Sequence, residues 1–115
     1  MSVEGDILIA LTTVAPAWPI GPETNDLPRI TYQQVGGQSV SFLDRIRPTL
    51  KNGRFQISTW AATSVQASQI ALAAEDALIA ATAFQATPLG APVADFEQDT
   101  GLHGRRQDFS IWSPR

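Results

Sequence analysis

Apolar residues recur at helical spacing in the first dozen positions of the chain. Ile7, Leu8 and Leu11 form a stripe, Ser2 stands at a helix N-cap position, and acidic residues follow in the first turn. The pattern predicts a short helix over residues 2–12. Residues 15–28 then hold four of the eight prolines, a density that neither a helix nor an inner strand tolerates. We therefore expect a proline-rich surface loop after the first helix.

Alternating apolar and polar positions predict two strands in the middle of the chain, over residues 29–35 and 53–60. On each strand every second residue is apolar, aromatic or β-branched: Ile30, Tyr32, Phe55, Ile57 and Thr59. The connection between them, residues 38–52, is far longer than the about 2–5 residues of a hairpin loop. Either it is a loop, or part of it extends the strands into a long β-arm.

A capping box begins the longest helical pattern. Thr63 supplies the hydroxyl and Gln66 the amide three residues later. We expect a helix from there to about Ala83, roughly 30 Å long. One face is rich in alanine, which suits close packing on a sheet. That face comprises Ala67, Ile70, Ala71, Ala74, Ala77, Leu78 and Ala81.

The opposite face of this helix carries a second apolar stripe, Val65, Leu72 and Ile79, in which a large aliphatic residue recurs every seven positions. Leaving these side chains exposed would forgo about 1.5–3 kcal/mol each, so we expect them to be covered. Either the N-terminal helix or the proline loop covers them, or a neighbouring subunit does.

Two more strands, near residues 91–97 and 105–112, are predicted on either side of a turn at Asp99-Thr100-Gly101. In the last strand we expect Phe109 and Ile111 to pack onto the alanine face. The order of elements predicts an α+β fold, in which a four-stranded antiparallel sheet packs on one long helix. We expect a single domain over residues 1–115, with residues 1–28 as the N-terminal helix and loop and residues 29–115 as the core.

Composition narrows the classes of function. Charged residues make up 17% of the chain, below the roughly 25% typical of soluble domains, which favours a surface partly covered by a partner. The net charge of −3 argues against a general nucleic-acid binder. Without cysteine there is no disulfide and no thiolate metal site. The apolar run at residues 7–11 is far shorter than the ~20 residues of a membrane span, and acids rather than basic residues precede it.

Candidate chemistry is sparse. His103 and Asp99 could form a polarising pair, but no positioned nucleophile accompanies them, so a solvated turn histidine is the preferred interpretation. Asp95, Glu97 and Asp99 alternate along one strand and invite a metal hypothesis, yet no calcium-type loop surrounds them. We interpret them as an acidic edge that faces solvent or a partner. We expect no catalytic residue, metal or cofactor.

Half of the eight basic residues, Arg45, Arg47, Lys51 and Arg54, lie in one short region. They either keep an exposed strand edge from self-pairing or dock on an acidic partner surface or on passing DNA. Arg105 and Arg106 either join that patch or pair with acids across the terminal hairpin. The candidate interface residues are therefore Val65, Leu72, Ile79, Arg45, Arg47, Lys51, Arg54, Arg105, Arg106 and Trp112.

The chain as a whole resembles the small tail-completion (tail-terminator) proteins of long-tailed bacteriophages and prophages. Three blocks carry the resemblance: Leu27-Pro28 with Ile30 and Tyr32 opening a strand; Arg54 to Ala61, followed by Thr63 and the alanine-rich helix; and the terminal hairpin with Thr100-Gly101-Leu102, Asp108-Phe109 and Trp112. Phe42-Leu43-Asp44-Arg45 departs from the pattern of the family.

The resemblance implies a virion protein, assembled in the host bacterial cytoplasm, that forms a ring, commonly six-fold, at the head-proximal end of the tail tube. Such a ring stops tube growth and joins the tail to the head connector. Its implied partners are copies of itself, the tail tube protein and a connector or stopper protein, with DNA passing through the lumen without specific binding. The alternatives are a head-side neck or stopper adaptor, and a small enzyme using the Asp95–His103 edge.

Overall fold

The computed structural model describes residues 2–19, 27–39 and 48–115 of the chain. Within them, helices α1 (Val3–Thr12) and α2 (Ser64–Ala80) cover one face of a six-stranded mixed sheet. The strands are β1 (Ala17–Pro19), β2 (Arg29–Gly36), β3 (Leu50–Ala61), β4 (Gln85–Pro88), β5 (Val93–Glu97) and β6 (Leu102–Pro114). The predicted α+β class is confirmed.

The sheet is built around its two longest strands, β3 and β6. They pair antiparallel along their length, from Leu50 opposite Pro114 to Ala61 opposite His103. The strand order is β1-β2-β3-β6-β4, and β5 also pairs with β6. Both β4 and β5 therefore lie on the outer edge of β6, one beside its C-terminal half and the other beside its N-terminal half.

The predicted four-stranded antiparallel sheet is wrong in two places. The proline-rich region contributes β1, a three-residue strand parallel to β2, where a loop was expected. Proline is tolerated there because β1 lies at the sheet edge, where a missing N–H need not break a ladder. The predicted strand at residues 91–97 is preceded by a separate strand, β4, whose four residues were too few to show a pattern. Residues 20–26 of the proline loop lie outside the described residues.

The connection between β2 and β3 is shorter than expected, because β3 begins at Leu50 rather than Gly53. Its first residues pair with the end of β6, so part of the predicted long connection does extend a strand. Residues 40–47 of that connection lie outside the described part of the chain.

Both helices begin at the predicted caps. The Ser2 hydroxyl accepts a hydrogen bond from the Gly5 N–H at 3.1 Å, and the Thr63 hydroxyl accepts one from the Gln66 N–H at 3.2 Å. The long helix ends at Ala80, three residues earlier than expected. Its last turn has no basic residue, and the chain turns so that Phe84 enters the core.

The core lies between the two helices and the sheet. The alanine face of α2 is buried as predicted, with Ala67, Ala71, Ala74 and Leu78 at most 5% exposed. Phe109 and Ile111 are buried on the sheet face that the helices cover, as expected. The other core residues are Val3, Ile7, Leu11, Ala15, Ala17, Ile30, Tyr32, Phe55, Ile57 and Phe84. The strand alternation predicted from the sequence is therefore confirmed.

Candidate assembly surfaces

The second apolar stripe of α2 faces away from the sheet. Val65 is 68% exposed, and Leu72 and Ile79 are each 52% exposed. α2 packs on the sheet through its small residues, which turns the larger aliphatic residues outward. α1 packs beside α2, but it leaves the stripe exposed. Within the described residues the stripe is therefore an apolar surface that no neighbour buries.

The helical layer also contains an apolar depression. It measures about 400 Å³ and lies between α1 and the C-terminal end of α2. Ile9, 56% exposed, and Ala77, Ala81 and Phe84 contribute to its lining. Neither helix contains a lysine or an arginine, and their four charged residues are all acidic: Glu4, Asp6, Glu75 and Asp76. The outer surface of the helices is thus apolar and acidic.

The sheet face that the helices leave uncovered carries the three tryptophans. The register places Trp18, Trp60 and Trp112 on that face, each partly exposed. Across β3 and β6, Arg54 donates through Nη2 to Asp108 Oδ2 at 2.7 Å. Asn52 nearby donates through Nδ2 to the Ser110 hydroxyl at 2.9 Å. We call this surface the open face.

The four predicted basic residues that the structure describes do not form one patch. Lys51 is exposed near the start of β3, whereas Arg54 is ion-paired with Asp108 on the open face. Arg105 points to the helical side, where it donates to the Ser64 hydroxyl at 2.9 Å. Arg106 is exposed on the open face. Arg45 and Arg47 lie outside the described residues.

Arg105 and Arg106 do not pair with acids across the terminal hairpin. Their cross-strand neighbours on β5 are Ala94 and Val93. Because Arg105 bonds Ser64 and the Gly104 carbonyl, its guanidinium holds the start of α2 against β6. Sequence spacing gave no sign of this internal role.

The acidic edge lies on β5 and the turn that follows it. Asp95 Oδ1 accepts a hydrogen bond from its neighbour Phe96 N–H at 2.9 Å. His103 does not join a catalytic pair but lies against the Phe96 ring, with ring centroids 4.9 Å apart. Among the residues that the structure describes, no group of three or more histidine and acidic side chains is placed to hold a metal ion.

Two features of this region were missed by sequence reasoning. Every residue of β5 is exposed, including Val93 and Phe96. Gln107, only 5% exposed, donates through Nε2 both to Glu75 Oε1 and to the Gly90 carbonyl. Gln107 alternates with the core residues Phe109 and Ile111, but its hydrogen-bond partners come from elements that are distant in sequence.

One known protein family matches this chain over nearly its whole length. The family model described as tail completion protein gp17 matches residues 8–113, which extend from α1 into the end of β6. The chain belongs to the tail completion protein gp17 family. The match spans the second stripe, the open face and the terminal hairpin, and it confirms the resemblance seen in the sequence. No curated relative matches the chain.

Membership of the tail completion family makes this chain a structural component of a phage tail. Its place is the virion, and its partners are other tail or head components. None of the helices in the described ranges is long and apolar enough to cross a membrane. The exposed surfaces described above are therefore candidates for contact with other virion proteins.

Proposed function

We propose that this tail completion protein is a tail terminator, which forms a homo-oligomeric, six-fold ring at the head-proximal end of the tail tube. The ring ends tube growth and presents the surface on which the head connector docks. DNA passes through its lumen without specific binding. Assembly takes place in the host cytoplasm before the tail joins the head.

The observation that carries this proposal is the exposed second stripe of α2 in a protein of the tail completion family. Three large aliphatic residues on one helix face are costly to leave in water. Burial against another virion protein removes that cost, and a neighbouring subunit of the ring is the occupant that we favour. The low fraction of charged residues, 17%, fits a chain whose surface is partly covered in the particle.

The test is complementation of a phage that lacks this protein with the variant Leu72→Asp/Ile79→Asp. We expect loss of infectious particles, because two carboxylates would have to be buried unpaired in the contact. The matched control is Ala73→Asp/Ala80→Asp, which adds the same charges at the same spacing, about 100° further round the helix. We expect the control to retain infectivity. Two results together would contradict the proposal. They are normal infectivity of the stripe variant and a purified chain that neither self-associates nor binds tube protein.

The alternative role, a head-side neck or stopper adaptor, is favoured by the same surfaces and differs in the defect it predicts. Electron microscopy of particles made without the protein separates the two. Overlong or ragged tails indicate failed termination. Tails of normal length beside heads that leak DNA indicate a stopper instead.

A further inference from the structure

The hairpin formed by β5 and β6 ends in a segment that the rest of the fold leaves uncovered. Among the described strands β5 pairs only with β6, and all five of its residues are exposed. Val93 is 54% exposed and Phe96 is 51% exposed, although their side chains lie on opposite faces of the strand. β3 pairs with the other side of β6 along this stretch, so β5 is an exposed edge strand of the sheet, a place where another chain can associate. Its exposed apolar side chains are therefore best explained by a partner that covers them.

The charge of this segment restricts the partner. Residues 93–99 contain three carboxylates, those of Asp95, Glu97 and Asp99, and no lysine or arginine. We call residues 93–99 the acidic tip. A surface that receives it must combine apolar contact area with positive charge.

The opposite end of the same sheet has this combination. Leu50 is 48% exposed there. The exposed side chains of Lys51 and Arg115 lie beside Leu50. We call these three residues the basic end.

Two neighbouring depressions shape the basic end. One, of about 450 Å³, lies on the adjoining part of the open face between Val35 and Leu89, which are 44% and 49% exposed. The other, of about 270 Å³, is lined in part by Leu50, Lys51 and Arg115. Both include Gln38 in their lining, so they adjoin. The basic end is thus a concave surface, whereas the acidic tip is an exposed strand edge with its turn.

The acidic tip cannot reach the basic end of its own chain. In the register of the sheet, Glu97 is opposite Leu102 and Lys51 is opposite Ser113. These two positions of β6 are about 36 Å apart along an extended strand. A contact between the two surfaces therefore joins different copies of the chain.

We propose that the acidic tip of one copy docks on the basic end of a second copy. Val93 and Phe96 supply the apolar contact, while Glu97 and Asp99 face Lys51 and Arg115. The contact is heterologous, since it uses a different surface of each partner, and such a contact repeats into a closed ring when the rotation between neighbours is a whole fraction of a full turn. The inference rests on the proposed ring and names the surfaces that join its subunits.

Carbodiimide cross-linking tests the contact directly, because it couples a carboxylate to an amine without a spacer. Lys51 is the only lysine of the chain. We expect the purified protein at low ionic strength to give covalent dimers and larger species, with Lys51 joined to Glu97 or Asp99 in the peptide mass spectrum. Lys51→Arg keeps the charge but removes the amine, so it should lose these adducts while the protein still self-associates. Lys51 adducts only with the helical acids Glu75 and Asp76, or no adducts at all, would overturn the proposal.

Charge reversal provides an independent measurement by analytical ultracentrifugation. Glu97→Lys/Asp99→Lys reverses the tip and leaves Asp95, which caps its own backbone, intact. Lys51→Glu/Arg115→Glu reverses the basic end. Each variant alone should associate at least about tenfold more weakly, since like charges would then face each other. An equimolar mixture of the two, or one chain with all four changes, should recover the association.

Failure of the mixture to recover association contradicts this contact, because each variant then meets a second variant whose tip and end carry the opposite charge. That result leaves the terminator role intact if the stripe variant still abolishes infectivity. Conversely, recovered association together with an infectious stripe variant supports the contact and removes the support for the stripe as a subunit interface. The two proposals are therefore separable.

Discussion

Gly104 shows how a single residue shapes the open face. The indole of Trp60 lies over it, and a Cβ placed on Gly104 would come within 2.8 Å and 2.9 Å of two ring carbons and 3.2 Å of the Thr59 carbonyl oxygen. The two residues are opposite each other in the register of β3 and β6. A glycine inside a strand usually weakens it, and here it provides the space that the tryptophan fills.

We expect Gly104→Ala to destabilise the fold by about 1–3 kcal/mol, because the added methyl group forces the indole or the strand to move. Denaturant unfolding followed by tryptophan fluorescence measures this change. Arg106→Ala, at an exposed position on the same face, should change stability by no more than about 0.5 kcal/mol. In a Trp60→Leu background the cost of Gly104→Ala should largely disappear, and an undiminished cost would show that the indole is not the obstacle.

Tyr32 is the only tyrosine and is 7% exposed. Burial raises its pKa above the ordinary value of 10.0, because the charged phenolate loses hydration, and the nearby Glu4 carboxylate raises the pKa further. The unfolded chain therefore releases this proton at a lower pH than the folded one. Between the two pKa values the folded state binds more protons, so stability falls as pH rises.

We expect the free energy of unfolding to decrease once the pH passes about 10, the unfolded pKa of tyrosine, and to be unaffected by this group below it. Tyr32→Phe should lessen that alkaline decrease. Tyrosinate absorbance of the native protein should titrate above the ordinary value, and a native titration at the unfolded pKa would contradict the assignment.

At the scale of elements, Gln107 ties three parts of the fold together. Its amide belongs to β6 and donates to Glu75 on α2 at 2.9 Å and to the Gly90 carbonyl at 2.8 Å. Gly90 lies in the connection between β4 and β5. One side chain of β6 therefore holds both α2 and this connection in place. The amide is suited to this because it presents two N–H donors.

Replacing that donor by a carboxylate should separate these elements. We expect Gln107→Glu to destabilise the protein by about 1.5–3 kcal/mol, the range for hydrogen bonds to charged groups, since an acid would then face Glu75 and the Gly90 carbonyl. Urea unfolding measures the change. Adding Glu75→Gln gives position 75 an amide that can donate to the new carboxylate at position 107, so it should recover part of the lost stability. Asp76→Asn, on the exposed side of α2, is the control and should not.

The elements that could be predicted are those with enough residues to show a period. α1, α2, β2, β3, β5 and β6 were all anticipated, and both helix caps were named correctly. β1 and β4 were missed because three or four residues, each group including a proline, show no alternation of their own. Such strands exist because a longer neighbour offers unpaired backbone groups, which is a property of the assembled sheet.

At the scale of the whole molecule, the surfaces proposed for assembly lie outside the core. We expect Leu72→Asp/Ile79→Asp to change the free energy of unfolding by no more than about 0.5 kcal/mol each, because both residues are half exposed in the described structure and contribute little to the packing. Thermal unfolding of the purified variant measures this. A large loss of stability would mean that the stripe is part of the core, and that a loss of infectivity reports misfolding.

The tertiary structure also places the described basic residues in different surroundings. Arg54 lies on β3, and Arg105 and Arg106 lie on the adjacent strand β6. Arg54 is ion-paired, Arg105 holds the start of α2, and Arg106 is exposed. Arg105 and Arg106 are adjacent in sequence. Strand alternation then sent neighbouring residues to opposite faces of the sheet.

The sequence by itself determined the class of fold, the buried face of each long element and the membership of the tail completion family. Periodicity records which side of an element must leave water, and that constraint is local. Only the tertiary structure decided that the second stripe of α2 stays exposed, that Gln107 joins three elements, and that an acidic tip and a basic end lie at opposite ends of one sheet. These depend on which distant segments become neighbours, and no local pattern contains that information.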